Sequence, residues 1–228
     1  MLILSLETSS SVCSVAVHQA GVLLGQAELR LEKSHSSHLS LLINQLLENT
    51  GHALQDVAAV ALSDGPGSYT GLRIGGAAAK GLCFALNIPL LAISTLQALA
   101  WQVAAYTASP ETYLYCPMLD ARRMEVYTAL YTPDSQEILP PTALVLTPDA
   151  LAEQLGGHRV LFFGNGAVKF QSLLAEQPNA GFLAGIEPSA VAVGALAWGA
   201  FQRQEFRDVA YYEPFYLKEV YTTTPKAK

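Results

Sequence analysis

Charge is scarce in this 228-residue chain. Only 14% of its residues are Asp, Glu, Lys or Arg, and the balance is acidic, with a net charge of −6. A surface of that sign does not supply the basic face that nucleic-acid binding draws on. The basic clusters are Arg122-Arg123 and the tail residues Lys218, Lys226 and Lys228. Cysteine is scarce too. Cys13, Cys83 and Cys116 are odd in number and widely spaced, so no disulfide framework or zinc knuckle is visible, and buried reduced thiols are expected. Long apolar runs are missing. The most apolar extended segment, Pro89 to Ala105, is interrupted by Ser94, Thr95, Gln97 and Gln102 and is too polar to span a bilayer. The opening MLILSLETSSS has no basic n-region and too short an apolar run for a signal peptide. Low-complexity tracts and short-period repeats are also lacking. These absences predict a reduced, cytosolic protein.

What is present is core material. Hydrophobic residues make up 51% of the chain, enough for one large or two small domains. The stretch Ser63 to Gly81, SDGPGSYTGLRIGGAAAKG, organises the rest. The apolar run Val57–Leu62 leads into it as a buried strand, Gly65-Pro66-Gly67-Ser68 turns, and a helix runs from Thr70 or Gly71 to Leu86. A strand, a glycine turn and a helix N-terminus can hold an anion, because the first helical N–H groups lack intrahelical partners. Each interior glycine of that helix costs roughly 0.8–1 kcal/mol relative to alanine. Close packing against something must offset that. Gly71 and Gly75 lie one turn apart, and Ala78 and Ala79 continue a small-residue surface. Such a face suits packing inside the domain or the approach of a partner's helix.

Three strands are expected before it: Leu2–Leu6 ending at Glu7, Val12–His18 after the polar turn Thr8-Ser9-Ser10, and Val22–Leu29. A helix over Ser36–Glu48 carries the stripe Leu39, Leu42, Ile43, Leu46 and Leu47. Leu41 lies off that stripe beside His38 and Gln45, a second apolar face suited to a partner surface. His35 and His38, three apart, could both touch a metal, but only Glu32 is near as a third ligand. A strand over Leu90–Ile93 and a helix over Ser94–Tyr106, capped by Ser94, close the first half. The segment Thr107-Ala108-Ser109-Pro110 marks a boundary.

The second half restarts with strands Tyr113–Leu119 and Met124–Tyr131 around Asp120-Ala121-Arg122-Arg123. A brief strand Ala143–Leu146, a helix capped by Thr147 and running to Leu155, and a strand Val160–Phe163 entering Gly164-Asn165-Gly166 follow. A helix over Val168–Ala175 and a last helix from Pro188-Ser189 to Gln202 complete the body. Tyr211–Lys218 is expected to lie across it. The halves share an outline, which predicts a duplicated α/β fold with lobes 1–106 and 107–228 and the turns at Gly65 and Gly164 facing each other across a cleft.

ILSLETSSSVCSVAV at the start, GPGSYTGLRIG, DARRMEVY from Asp120 and EPFYLK from Glu213 together resemble the TsaB (YeaZ) family, over nearly the whole chain and in order. The resemblance implies an actin-like ATPase (ribonuclease H-like) fold of two similar lobes. It implies a non-catalytic partner of the transferase TsaD, which, with the ATPase TsaE, places a threonylcarbamoyl group on the tRNA adenosine beside the anticodon. TsaD carries a pair of metal-binding histidines four apart; the matching positions here are Thr95 and Leu99, which cannot hold a metal. In the family the two helices at Ser36–Glu48 and Thr70–Leu86 form a four-helix contact with the partner. The partner-facing residues expected here are His38, Leu41, Gln45, Gly71, Gly75, Ala78 and Ala79. No catalytic, cofactor or metal site is expected. A homodimer is possible when the partner is absent, and tRNA is met only through the complex.

A second reading is a small-molecule phosphotransferase or ATPase of the same fold, using Glu7, Gly65–Ser68 and Gly164–Gly166, with Asp64 or Asp120 as general base. Glu7 stands where actin-like kinases carry Asp, which counts against phosphate–Mg²⁺ chemistry at that turn. The glycine turn lacks the Lys-Ser/Thr ending of a P-loop, and no GxSxG elbow occurs. Cys83 sits in apolar surroundings that make a thiol inert, and Ser68 has no assignable base.

Overall fold

The computed structural model describes residues 1–31 and 34–218. Glu32, weighed above as a third metal ligand, and the tail lysines Lys226 and Lys228 lie outside the described residues. The chain builds the same unit twice. In the first, β1 (Leu2–Glu7), β2 (Cys13–Gln19) and β3 (Val22–Leu29) form an antiparallel meander. Helix α1 (His35–Asn49), strand β4 (Val57–Gly65), helix α2 (Tyr69–Leu86), strand β5 (Leu90–Ser94) and helix α3 (Thr95–Ala104) follow. The second runs β6 (Tyr113–Asp120), β7 (Glu125–Tyr131), β8 (Glu137–Val145), α4 (Ala152–Gly157), β9 (Arg159–Phe163), α5 (Val168–Gln171), β10 (Ala180–Leu183) and α6 (Ala190–Gln202). Both sheets have the same order: β3-β2-β1-β4-β5 and β8-β7-β6-β9-β10. In each, the first strand pairs antiparallel with the second and parallel with the fourth.

Strand β1 is buried along its whole length because helices cover both of its faces. Leu2, Leu4 and Leu6 pack with Leu39, Ile43 and Leu46 of α1 and with Ala79 and Cys83 of α2. Ile3, on the other face, meets Ala192, Val193 and Ala197 of α6. The strands of 2–94 form one sheet and those of 113–183 the other, and helices pack across the division between them. Leu96, Leu99, Ala100 and Val103 of α3 pack with Tyr115, Leu119, Ala129 and Tyr131 of the second sheet, while α6 and the tail return to the first.

Several expected elements shift. Strand β8 is much longer than Ala143–Leu146; it is an edge strand, where Pro140 and Pro141 forfeit no ladder bond that matters. Thr147 does not cap α4, which starts after Leu151 without a side-chain cap. Helix α5 ends at Gln171, and β10 is an unexpected four-residue strand. The cap expected at α3 holds, Gln97 N donating to Ser94 Oγ, and at α6 Ser189 Oγ accepts from Val191 N.

Candidate functional site

The glycine turn expected to face a ligand is closed by its own chain. Ser68 N donates to Ser9 O at 2.6 Å, which draws the turn onto the first hairpin. Ser68 then caps α2, its Oγ accepting from Gly71 N at 3.2 Å and its carbonyl accepting from Leu72 N at 2.8 Å. The Gly71 N–H of the first turn is thus satisfied by the helix's own cap. Glu7 lies beneath and is fully buried. Its Oε1 accepts from Ser9 N at 2.5 Å, while Oε2 has no hydrogen-bond partner among the described residues. Burial pushes the Glu7 carboxyl up, and the hydrogen bond from Ser9 N offsets only part of that.

The two general-base candidates are also engaged. Asp64 is pushed up by burial, against a hydrogen bond from Tyr212 Oη at 2.9 Å. Burial also works to raise Asp120, but the Lys169 ammonium at 2.5 Å and Arg122 N at 2.6 Å outweigh it and hold the carboxyl low. At the second glycine turn, Asn165 Oδ1 accepts from Asp120 N at 2.8 Å, so that turn is likewise tied to its own hairpin.

The remaining nucleophile and ligand candidates sit in inert settings. Burial raises the thiols of Cys13 and Cys83 to about 11 and that of Cys116 to about 12. His35 Nε2 hydrogen-bonds Val12 O, and His38 Nδ1 sits with Ser34 O and Ser37 Oγ. Leu99 is locked in the apolar cluster between α3 and the second sheet, and Thr95 is wholly buried. Among the described residues, no three His, Cys, Asp or Glu side chains gather where a metal could bind. No described helix is long and apolar enough to cross a membrane.

Helices α1 and α2 lie on one face of the first sheet. The small-residue face of α2 does not all point outward, which corrects part of the expected surface. A Cβ on Gly71 would overlap the Thr8 carbonyl oxygen, and one on Gly75 the Thr8 hydroxyl. Ala79 is wholly buried in the core. These three residues let α2 settle onto the hairpin and sheet of its own lobe. Ala78 and His38 are half-buried, while Leu41 and Gln45 are exposed. The outward row of α2 is Arg73, Ala77, Gly81 and Phe84, with the Phe84 ring 85% exposed. Sequence reasoning missed Phe84. Its helical spacing from Ala77 and Gly81, opposite the buried Leu72, Ala79 and Cys83, was a readable signal.

The tail lies over α2 and the end of β4. Lys80 Nζ donates to Ala210 O and Tyr212 O, and Phe215 N donates to Asp64 O at 2.8 Å. Tyr216 packs on Tyr69 with ring centroids 5.1 Å apart. Lys218 then pairs with Glu125 of the second lobe.

Comparison with known proteins agrees with this architecture. The TsaD family model, described as tRNA N6-adenosine threonylcarbamoyltransferase, matches residues 28–211. TsaB of Bacillus subtilis, named a tRNA threonylcarbamoyladenosine biosynthesis protein, is 36% identical over 131 residues, 58% of this chain and 55% of that one. The chain thus spans about half the length of that relative. The solved structure of YeaZ from Pseudomonas aeruginosa superimposes with a TM-score of 0.79 at 30% identity, covering 95% of this chain and 99% of the other. An ADPNP-bound activator of 2-hydroxyisocaproyl-CoA dehydratase from Clostridium difficile, at TM-score 0.53 and 12% identity over 90% of this chain and 96% of the other, shares the fold alone. The duplicated lobe is the actin-like ATPase arrangement, and the chain belongs to the TsaB (YeaZ) family.

Proposed function

We propose that this chain is a non-catalytic subunit in forming the threonylcarbamoyl group on N6 of the tRNA adenosine next to the anticodon. It works in the cytoplasm, dimerises with a TsaD-like transferase and acts with a TsaE-like ATPase. The observation that carries the reading is the outer face of α1 and α2. Leu41 is 62% exposed and Phe84 85% exposed, whereas Leu39, Ile43, Leu46 and Leu47 of α1 and Leu72 and Cys83 of α2 are buried. Fully burying such a side chain is worth about 1.5–3 kcal/mol, so a partner that covers both gains substantially. Ala77 and Gly81 leave room for a helix to approach closely between them, and His38, Gln45 and Ala78 border the patch. When no partner is present, the same face can cover itself in a homodimer. The phosphotransferase reading is not favoured, because Glu7, Asp64 and Asp120 are each committed to internal contacts.

Threonylcarbamoyl transfer to tRNA in a reconstituted mixture tests this. Activity should require this chain together with the transferase and the ATPase, and this chain alone should have none. Leu41→Asp with Phe84→Asp should weaken the heterodimer by roughly 30-fold or more, the effect of losing one anchor worth about 2 kcal/mol. Activity from this chain alone would show that a catalytic site exists in it. An unchanged heterodimer affinity would remove α1 and α2 as the contact.

A further inference from the structure

We propose that the hairpin tip between β6 and β7 is a built phosphate contact, through which Arg122 and Arg123 hold the backbone of the tRNA while the complex works on it. The inference rests on the function proposed above. It starts from charge accounting. In an acidic chain, Arg122 and Arg123 are adjacent, exposed and, among the described residues, without an ion-pair partner. The two carboxylates flanking them are already taken. Asp120 pairs with Lys169, and Glu125 pairs with Lys218 of the tail. Arg122 feels the Asp120 charge but forms no ion pair with it. Two acidic groups that would otherwise neutralise the arginines are thereby balanced by lysines, which leaves two uncommitted guanidinium groups at one point.

The backbone that presents them is fixed. Both arginines lie in the left-handed region, with φ of 70° and 49°. Glycine would adopt that conformation without penalty, yet the chain places arginine at both positions. Asp120 Oδ1 accepts from Arg122 N, Glu125 N donates to Arg122 O, Ala121 N donates to Glu125 O, and Leu146 N donates to Met124 O. Asn165, from the glycine turn after β9, accepts from Asp120 N and anchors the base of the tip. Two planar forks presented from a fixed turn are suited to phosphate oxygens, which guanidinium binds bidentately. Two arginines are too few to hold RNA alone on a chain of net charge −6, so the contact acts only where the transferase supplies the rest of the surface.

The test uses the reconstituted complex and three variants. Arg122→Gly with Arg123→Gly removes both charges and suits the backbone, so the fold is kept. Arg122→Ala with Arg123→Ala removes them without added flexibility. Arg122→Lys with Arg123→Lys keeps the charge. The Gly and Ala pairs should raise KM for tRNA about 10-fold with kcat retained, and lower the salt slope of tRNA binding by about one to two. The Lys pair should recover most of the salt slope. Affinity of each variant for the transferase, measured without tRNA, should be unchanged. If that affinity falls instead, the tip contacts an acidic protein surface and the proposal is wrong. If KM and salt slope do not move, it is also wrong. A wild-type mixture whose activity ignores omission of this chain would fail the proposed function instead, before any variant is compared.

Discussion

Thr8, at the tip of the first hairpin, lies directly beneath Gly75 of α2. A Cβ on Gly75 would overlap the Thr8 hydroxyl, with the threonine's own Cβ and methyl left at 3.4 Å, while Gly71 one turn earlier meets the Thr8 backbone carbonyl. Gly75→Ala should therefore destabilise the chain by about 1–3 kcal/mol through overpacking. In a Thr8→Ala background the obstructing oxygen is gone. There the helix preference for Ala, about 0.8–1 kcal/mol, should make Gly75→Ala neutral or stabilising. Gly71→Ala should stay destabilising in both backgrounds, because its obstacle is backbone. Denaturant unfolding of these variants as a double-mutant cycle reads the coupling directly. Equal costs of Gly75→Ala in both backgrounds would show that Thr8 is not what the glycine accommodates.

The same contact shows what the sequence could and could not reveal. Helices α1 and α2 were legible because apolar spacing and the strand–glycine-turn junction are local signals. The duplication was legible because the order of elements repeats. Which way Gly71, Gly75 and Ala79 face was not, since a small residue suits a tight intramolecular contact and a partner's helix equally, and Thr8 arrives from a hairpin some sixty residues away. Strand β8 was hidden by Pro140 and Pro141, which argue against a strand everywhere except at a sheet edge. The placement of α6 on the first sheet was hidden because its surface is apolar nearly all round and so fits either lobe.

The tail strap gives a second prediction. Tyr212 Oη is the side-chain donor to part-buried Asp64. Tyr212→Phe keeps the ring against Gly76 but leaves Asp64 without that bond, at a cost of about 1–3 kcal/mol. Loss of the bond should also raise the Asp64 carboxyl further, since the Tyr212 hydroxyl is what lowers it most against burial. Hydrogen exchange should then quicken at Phe215 N, which is bonded to Asp64 O, while the amides of β1 stay protected. Exchange unchanged at Phe215 would mean that Lys80, through its bonds to Ala210 O and Tyr212 O, holds the strap without help from Asp64.

Glu7 supplies the prediction that separates the two functional readings. Burial lifts its carboxyl above the ordinary value of 4.5, so the folded chain binds a proton more tightly than the unfolded chain. The sign follows: stability from this group is full below the unfolded value and is lost as pH rises through the folded value. Glu7→Gln carries no such proton. Its amide oxygen can still accept from Ser9 N, as Glu7 Oε1 does. The stability difference should therefore shift in favour of Gln as pH rises from the unfolded value toward the folded one, and level off beyond it. Urea unfolding between about pH 4 and pH 8 measures this. A pH-independent offset would mean that the buried carboxyl ionises as readily as in the unfolded chain. Threonylcarbamoyl transfer by the full complex should survive Glu7→Gln, because the group acts in folding and not on a phosphate. Loss of transfer with an intact fold and an intact heterodimer would return this turn to nucleotide chemistry.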